Sequence, residues 1–520
     1  MSKWKCFDDL LFRQGDPDPY TLEECTRTLS SEITGIDLYP LSLSRLTEGG
    51  GALAGKEGDQ RRLVVVTGKR DSVPELDKAP VSEFHRETLR FSFFDASSDA
   101  VLKLGKSLPW LRPRTNPGAP SIGLGDRLGL ATPAHVRAVE KSGFFPVFAQ
   151  QTENENVSSG RDWSAVLADA VFGVFREGYR DGYGADADHL TKPQQVREAA
   201  QAGYVRFSLD LTGLAPETRG LDRRELSRRF VNVEKEVEGA AQWRRRYLGK
   251  EFTVGLAKSK VNVMFDEKAF FVTAIRMGPV VKRAQELIRA VMEARRGKVF
   301  EVELCLDEAV EPTSLHEHIF LALELAEQDL PVHALAPRFI GEVQKGVDYM
   351  GNSSKFARDI ARHAGVARLA GNHQISLHSA GDKFSILQRV GDATDGNFHV
   401  KLSGTSFVEG LRTVARTNRE LFDDVVQAAL SGFSRLKEPY RIEIDPSYLP
   451  TPARLTPEET EEVWFDSRYG RQLLYLSHSS ILQGPRELRS RLVRHLHEVE
   501  DLHFELVGAH IRRHVDLLRG

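Results

Sequence analysis

Eight short apolar runs, each followed by a helical stretch, constrain this chain more than any other feature. The runs are PSIGLGDRLG (120–129), GFFPVFAQQ (143–151), GYGADADHL (182–190), YVRFSLDLT (204–212), VFEVELCLDE (299–308), PVHALAPRF (331–339), HQISLHSAGD (373–382) and FHVKLSGTS (398–406). Between them lie helix-like segments such as PAHVRAVEKS, DWSAVLADAVFGVFREGY and SSKFARDIARHAGVARLAG. Strand–helix alternation implies parallel pairing, because consecutive parallel strands need a crossover. Eight such units predict an α/β fold closed into a (β/α)8 TIM-like barrel. A doubly wound open sheet is the rival arrangement.

The rest of the chain decorates that barrel. Residues 1–117 read as an N-terminal α+β extension, with strands at RRLVVVTG (61–68) and LRFSFFDA (89–96). By composition GGGALAGKEGDQ (49–60) is a flexible loop, and the proline-rich LPWLRPRTNPGAP (108–120) marks a boundary. The barrel then spans 118–450. Its fourth connection, 213–298, is far longer than a crossover requires and is expected to be an insertion at the rim. Residues 451–520 read as a helical tail, which opens on a capping pattern in TPEETEEVWF. This tail is expected to pack outside the barrel or against a second subunit, so a homo-oligomer is one expectation.

Alternation along the strands shows which side chains share a face. In FEVELCLDE, Val302, Leu304 and Leu306 form the apolar outer face, and Glu301, Glu303, Cys305 and Asp307 point inward. YVRFSLD turns Arg206, Ser208 and Asp210 inward, HQISLHS turns Ser376 and His378, and FHVKLSG turns His399, Lys401 and Ser403. A purely structural barrel avoids this, since buried charge must be paired or costs several kcal/mol. Convergence at the C-terminal strand ends points to a site, and an interior ion-pair network is the alternative.

His189, Glu303 and His378 end three of the runs. Imidazole and carboxylate together suit a divalent ion such as Zn²⁺, Mn²⁺ or Ni²⁺. His399 and His318 are reserve candidates, but His316 and His318 do not share a helix face and are not a chelating pair. Lys401, Lys383 and Arg338 suit the carboxylate or hydroxyls of an anionic sugar, and Gln150 and Gln151 suit hydroxyls. Gly123 and Gly125 do not match a phosphate loop. GYGADADHLTK sets Asp186, Asp188, His189 and Lys192 within seven residues, a density that packing alone does not explain.

Seventy-one basic side chains against 74 acidic ones leave a net charge of -3, which makes no case for nucleic acid or an anionic membrane as partner. Cys6, Cys25 and Cys305 are odd in number and widely spaced, the N-terminus lacks an apolar signal region, and no apolar run is long enough to span a membrane. A cytoplasmic protein is expected.

GLGDRLGLATPAHVRA, PVFAQQ, FREGYRDGYGADADHL, LAPRFIGEVQKGVDYMG, SLHSAGDKFSI and FHVKLSGTSFVEGLRTVAR, spread in order over about 120–415, resemble the tagaturonate epimerase family. The resemblance implies a metal-dependent epimerase interconverting D-tagaturonate and D-fructuronate, with related members interconverting fructose and tagatose at C4. The inverted carbon is β to the ketone, so its C–H is not acidified. Two routes remain: retro-aldol cleavage and re-addition, or transient oxidation by a nicotinamide, for which the sequence carries no fingerprint. Retro-aldol chemistry needs a Lewis acid and a base. The expected roles are then His189, Glu303 and His378 on the metal, and Asp210 or Asp126 as acid/base. Gln150, Arg338, Ser379, Lys383 and Thr405 hold the ketohexuronate or ketohexose, together with Lys401. A Schiff base on Lys401 is the metal-free alternative. Asp186 and Asp188 are left to orient neighbours, with no account of why both are present. A class II aldolase, a sugar isomerase and a non-catalytic sugar-binding protein are the competing functions.

Overall fold

The computed structural model describes residues 4–7, 18–76, 78–436, 445–484 and 487–520. Strands Ser121–Gly123, Phe145–Thr152, Gly184–Leu190, Arg206–Asp210, Glu301–Cys305, Ala334–Ala336, Gln374–Leu377 and Phe398–Lys401 pair in parallel, in chain order, and close on themselves as an eight-stranded barrel. Seven fall inside one of the eight apolar runs, and Phe145–Thr152 passes the end of its run by one residue. Helices separate consecutive strands, so the fold is a (β/α)8 barrel and the open-sheet alternative is excluded. The outward residues Phe207, Leu209, Val302, Leu304, Ile375, Leu377 and Val400 are buried against the helices. Each such side chain contributes about 1.5–3 kcal/mol by leaving water.

Before the barrel stands a five-stranded antiparallel sheet in the order Asp37–Arg45, Gly51–Glu57, Gln60–Gly68, Leu89–Asp95, Ser82–Arg86. The stretch 49–60, expected to be a flexible loop, is here largely strand. Ala52, Leu53 and Ala54 are buried between two neighbouring strands, and the left-handed residues fall in the turns, Gly49 and Gly50 before the strand and Gly58 after it.

Between the fourth and fifth strands lie the helix Arg223–Glu236, a hairpin of Glu251–Gly255 and Lys260–Met264, and the 28-residue helix Glu267–Ala294. That last helix packs between Pro193–Ala202 and Leu315–Ala326 and so serves as the fourth crossover. The C-terminal helix Glu500–Arg519 lies along Thr132–Val139, Leu387–Thr394 and Thr405–Thr417, on the outside of the barrel. A second apolar core, including Phe407, Leu421, Trp464, Leu473 and Leu492, joins the tail to the eighth barrel helix. No helix among the described residues is long and apolar enough to cross a membrane.

Candidate active site

The inward side chains of the barrel meet across its axis in layers set by strand register. At the lower level Arg206 of the fourth strand faces Glu301 of the fifth, with Nη1 3.4 Å from the carboxylate. One step up, Glu303 receives Arg206 Nη2 at 2.5 Å, Ser376 Oγ at 3.0 Å and Lys401 Nζ at 3.2 Å, and it also hydrogen-bonds His378 Nε2. Lys401 reaches across from the eighth strand to Asp186 at 2.9 Å, Asp188 at 2.7 Å and Ser208 at 2.7 Å. Gln150 Nε2 donates to Asp188 at 2.5 Å, and Ser208 Oγ donates to Asp186. At the top, His378 Nδ1 stands 3.1 Å from Asp307.

Strict alternation would turn His189 away from Asp186 and Asp188. The structure brings all three to one side through a bulge in the third strand: the register against the fourth strand slips between Ala187 and Leu190. His189 occupies the left-handed region there, at φ 55°, a conformation that costs a non-glycine residue on the order of 1–3 kcal/mol. Asp186 and Asp188 face inward, Leu190 returns to the outer core, and the histidine is the extra residue. The density of GADADHL follows: two carboxylates hold Lys401, and the second of them also holds His189, with Nδ1 3.0 Å from Asp188 Oδ1.

Electrostatically the cluster is rich in carboxylates, although burial raises the pKa of Asp186 and Glu301 and so works against charge on these two. Asp186, Asp188, Glu301, Glu303 and Asp307 stand against only Arg206 and Lys401 as permanent cations. Burial opposes charge on both histidines, but the carboxylates outweigh it. Asp188 carries His189 up to about 9, and Asp307, with Glu303, carries His378 up to about 10. Burial likewise works against the Lys401 ammonium, yet Asp186, Asp188 and Glu303 hold its pKa well above the ordinary lysine value. Glu303 is held well below the carboxylate range despite its burial, chiefly by Lys401 and Arg206.

Several buried polar atoms here have no hydrogen-bond partner, Gln150 Oε1, His189 Nε2 and His399 Nε2, while His378 Nδ1 has only its ion-pair contact with Asp307. Ligand atoms of His189, Cys305 and His378 lie within 4.8 Å of one another, as do those of His189, Asp307 and Glu308, and those of Asp186, Glu303 and His399. Glu303 is therefore beside His378, while the mutual grouping of His189 with His378 is completed by Cys305. Its parity was readable from the fifth strand, but nothing in the sequence assigned it a role. Burial pushes the Cys305 thiol up. A donor set of two imidazoles, a thiol and several excess carboxylates, with unpartnered nitrogens among them, fits a divalent cation.

His189 also lines a cavity of about 320 Å³ at the barrel mouth, whose walls include Glu155, Lys192, Asp210, Glu308 and Lys345. Tyr475 and His478 of the C-terminal region close one side. Arg127 is bound into this wall by Glu155 at 2.7 Å and by the Tyr475 carbonyl at 3.0 Å.

The remaining expected site residues lie elsewhere. Both carboxylate oxygens of Asp126 accept backbone N–H groups, from Leu128, Gly129 and Ala131. Arg338 is spent on the carbonyls of Phe339 and Gly341, at 2.6 and 2.9 Å. Lys383 is buried and donates to the Gly381 carbonyl, and burial brings its pKa down to about 8. Thr405 belongs to a second buried network, 2.7 Å from His510 Nε2 and 3.3 Å from Asp382, which pairs with Arg471 at 2.9 Å. Ser379 follows His378 in a left-handed turn at φ 50°. None of these lines the mouth cavity. His318 packs with His363 and His373, at 2.9 and 2.8 Å, in a buried histidine trio.

The family model for tagaturonate epimerase matches residues 39–518. A tagaturonate/fructuronate epimerase of Thermotoga maritima is 36% identical over 467 residues, covering 89% of this chain and 93% of that protein. Crystal structures of a fructuronate-tagaturonate epimerase from Cohnella laeviribosi superpose with similar closeness. The native form gives a TM-score of 0.83 at 30% identity, covering 95% of this chain and 99% of that one. A glycerol complex gives 0.82 at 29% identity, covering 96% and 99%.

Proposed function

Because this chain belongs to the tagaturonate epimerase family, and is thus an isomerase-class enzyme, we propose that its barrel mouth interconverts D-tagaturonate and D-fructuronate by breaking and re-forming one carbon–carbon bond. The observation that carries the site assignment is the convergence of the unpartnered His189 Nε2 with His378 and Cys305, beside a cavity that His189 itself lines.

The substrate carries its ketone two bonds from the carbon that inverts, so removal of that carbon's own proton is not helped by the carbonyl. The proton of the hydroxyl on that same carbon is the useful one. A base takes it, the electrons of the bond between the α and β carbons pass to the ketone oxygen, and an aldehyde fragment separates from a three-carbon enediolate. The aldehyde turns, the enediolate carbon attacks its other face, and the proton returns to the new alkoxide. Every atom is conserved.

We assign the base to Asp210, which ends the fourth strand, lines the cavity and accepts the Thr212 N–H at 2.9 Å through Oδ1. His189, His378 and Cys305 would hold a divalent cation, with Glu303 as the carboxylate within reach through its bond to His378. Such a cation would supply the positive charge that steadies the developing enediolate oxygen. A thiol among the donors favours Zn²⁺ or Ni²⁺ over Mn²⁺. Asp188 orients His189 through Nδ1 and leaves Nε2 for the cation, whereas His378 is held between Glu303 at Nε2 and Asp307 at Nδ1 and would give up one of these contacts on binding. The Schiff-base alternative fits less well. Lys401 is 3% exposed and its ammonium is held by three carboxylates, whereas a nucleophilic amine must be neutral and reach the ketone.

The test is chelation followed by addition of single metals, with ¹³C-labelled tagaturonate as substrate. Loss and recovery of fructuronate with an intact carbon skeleton supports the reading. Accumulation of two fragments would show an aldolase, a moved carbonyl an isomerase, and binding without turnover a sugar-binding protein.

A further inference from the structure

Three cations expected to receive the substrate's carboxylate are engaged elsewhere: Lys401 by Asp186, Asp188 and Glu303, Lys383 by the Gly381 carbonyl, and Arg338 by carbonyls of its own loop. The cavity must nonetheless accept an anion past Glu155, Asp210 and Glu308. Of the cations in its wall, Arg127 pairs with Glu155 at 2.7 Å and Lys345 with Glu308 at 3.2 Å. Lys192 also lines it, is exposed, and its ammonium forms no hydrogen bond or ion pair among the described residues.

Its backbone, by contrast, is fixed. The N–H groups of Thr191 and Lys192 both donate to Gln195 Oε1 at 2.8 Å, and Gln195 Nε2 is in turn bound to Glu153. A rigid stem thus presents an unclaimed ammonium three residues beyond His189. In a ketohexuronate the carboxylate is only two bonds from the carbon that inverts, so its anchor must stand close to the group that receives the reacting end.

We propose that Lys192 anchors the substrate's carboxylate and thereby selects a ketohexuronate over the corresponding neutral ketohexose. This rests on the mouth cavity being the active site of the epimerase. It fits the retro-aldol route, in which the carboxylate travels with the aldehyde fragment. A single ammonium on a flexible four-carbon stem can keep its contact while that fragment turns, where a bidentate guanidinium would resist the rotation.

The experiment compares wild type, Lys192→Gln and Lys192→Arg as metal-replete full-length protein, by tagaturonate kinetics and by calorimetric titration. For Lys192→Gln, KM and the dissociation constant are expected to rise about tenfold or more, with the effect on KM exceeding that on kcat. Lys192→Arg is expected to recover most of the affinity. The inhibition constant of neutral tagatose should be the same in wild type and Lys192→Gln. Wild-type affinity for tagaturonate in Lys192→Gln, or an equal loss for tagatose, overturns the proposal. Wild-type turnover with Lys192→Gln indistinguishable from it rejects the anchor and leaves the epimerase standing. Tagaturonate binding that depends on Lys192 but is never followed by turnover keeps the anchor and rejects the epimerase. A wild type that neither binds nor converts tagaturonate rejects both.

Discussion

His189 Nδ1 lies 3.0 Å from Asp188 Oδ1, and the ring's other nitrogen, Nε2, is buried without a hydrogen-bond partner. A carboxylate on one imidazole nitrogen fixes the ring's orientation and makes the other a better ligand. Replacing the carboxylate should therefore weaken a cation bound by His189 without removing the ligand.

For Asp188→Asn the expected result is a loss of about 10–100-fold in Zn²⁺ or Ni²⁺ affinity, read by titration against a competing chelator. His189→Ala should retain no ion at the site and no epimerase activity. Full metal content and activity in His189→Ala would reject its role.

Lys401 is the cation that touches all three of Asp186, Asp188 and Glu303. Lys401→Met keeps the volume and removes the charge. Asp186 then loses its ion pair in a buried space, while Asp188 keeps His189 and Glu303 keeps Arg206, a loss of about 3–5 kcal/mol by the usual cost of breaking buried pairs. Denaturant titration of the metal-free protein should show the drop. Stability equal to wild type would mean that the lysine is not the charge that holds these groups.

Asp382 supplies the pH-dependent case. Burial alone would raise its carboxyl, but Arg471 and His510 outweigh burial and hold it well below the usual carboxylate range. A carboxylate depressed on folding contributes stability that is complete above its unfolded pKa of about 3.9 and is lost as pH falls toward the folded value. Wild type should thus exceed Asp382→Asn in denaturant midpoint at pH 6–7, and the difference should shrink below about pH 4. A difference that stays constant through the acid range would assign the loss to packing instead of charge.

The barrel was legible because period-two strands and helices leave separate marks in a sequence, and each of the eight apolar runs coincides with a strand to within a residue at its C-terminal end or contains it. Parity placed Glu303, His378 and Lys401 inside, where the structure brings them together. His189 stands near the end of a run, yet the bulge that lets it share a side with Asp186 and Asp188 has no sequence mark, since the left-handed residue is a histidine and not a glycine. Arg338, Lys383 and Thr405 looked available because a sequence shows charge and hydroxyl but not partners. Their carbonyl, histidine and aspartate contacts are tertiary. Cys305 carries no such mark, because a lone cysteine has no spacing to read.

The central claim is that one carbon–carbon bond opens and closes within the cluster around His189 and His378. The most direct measurement is NMR of fructuronate formed from tagaturonate in D₂O by the metal-replete enzyme. The account predicts inversion with no solvent deuterium at the inverted carbon, because that carbon keeps its own hydrogen as the aldehyde turns. Deuterium at that carbon in proportion to turnover would show that its C–H bond is broken instead, and would contradict the account.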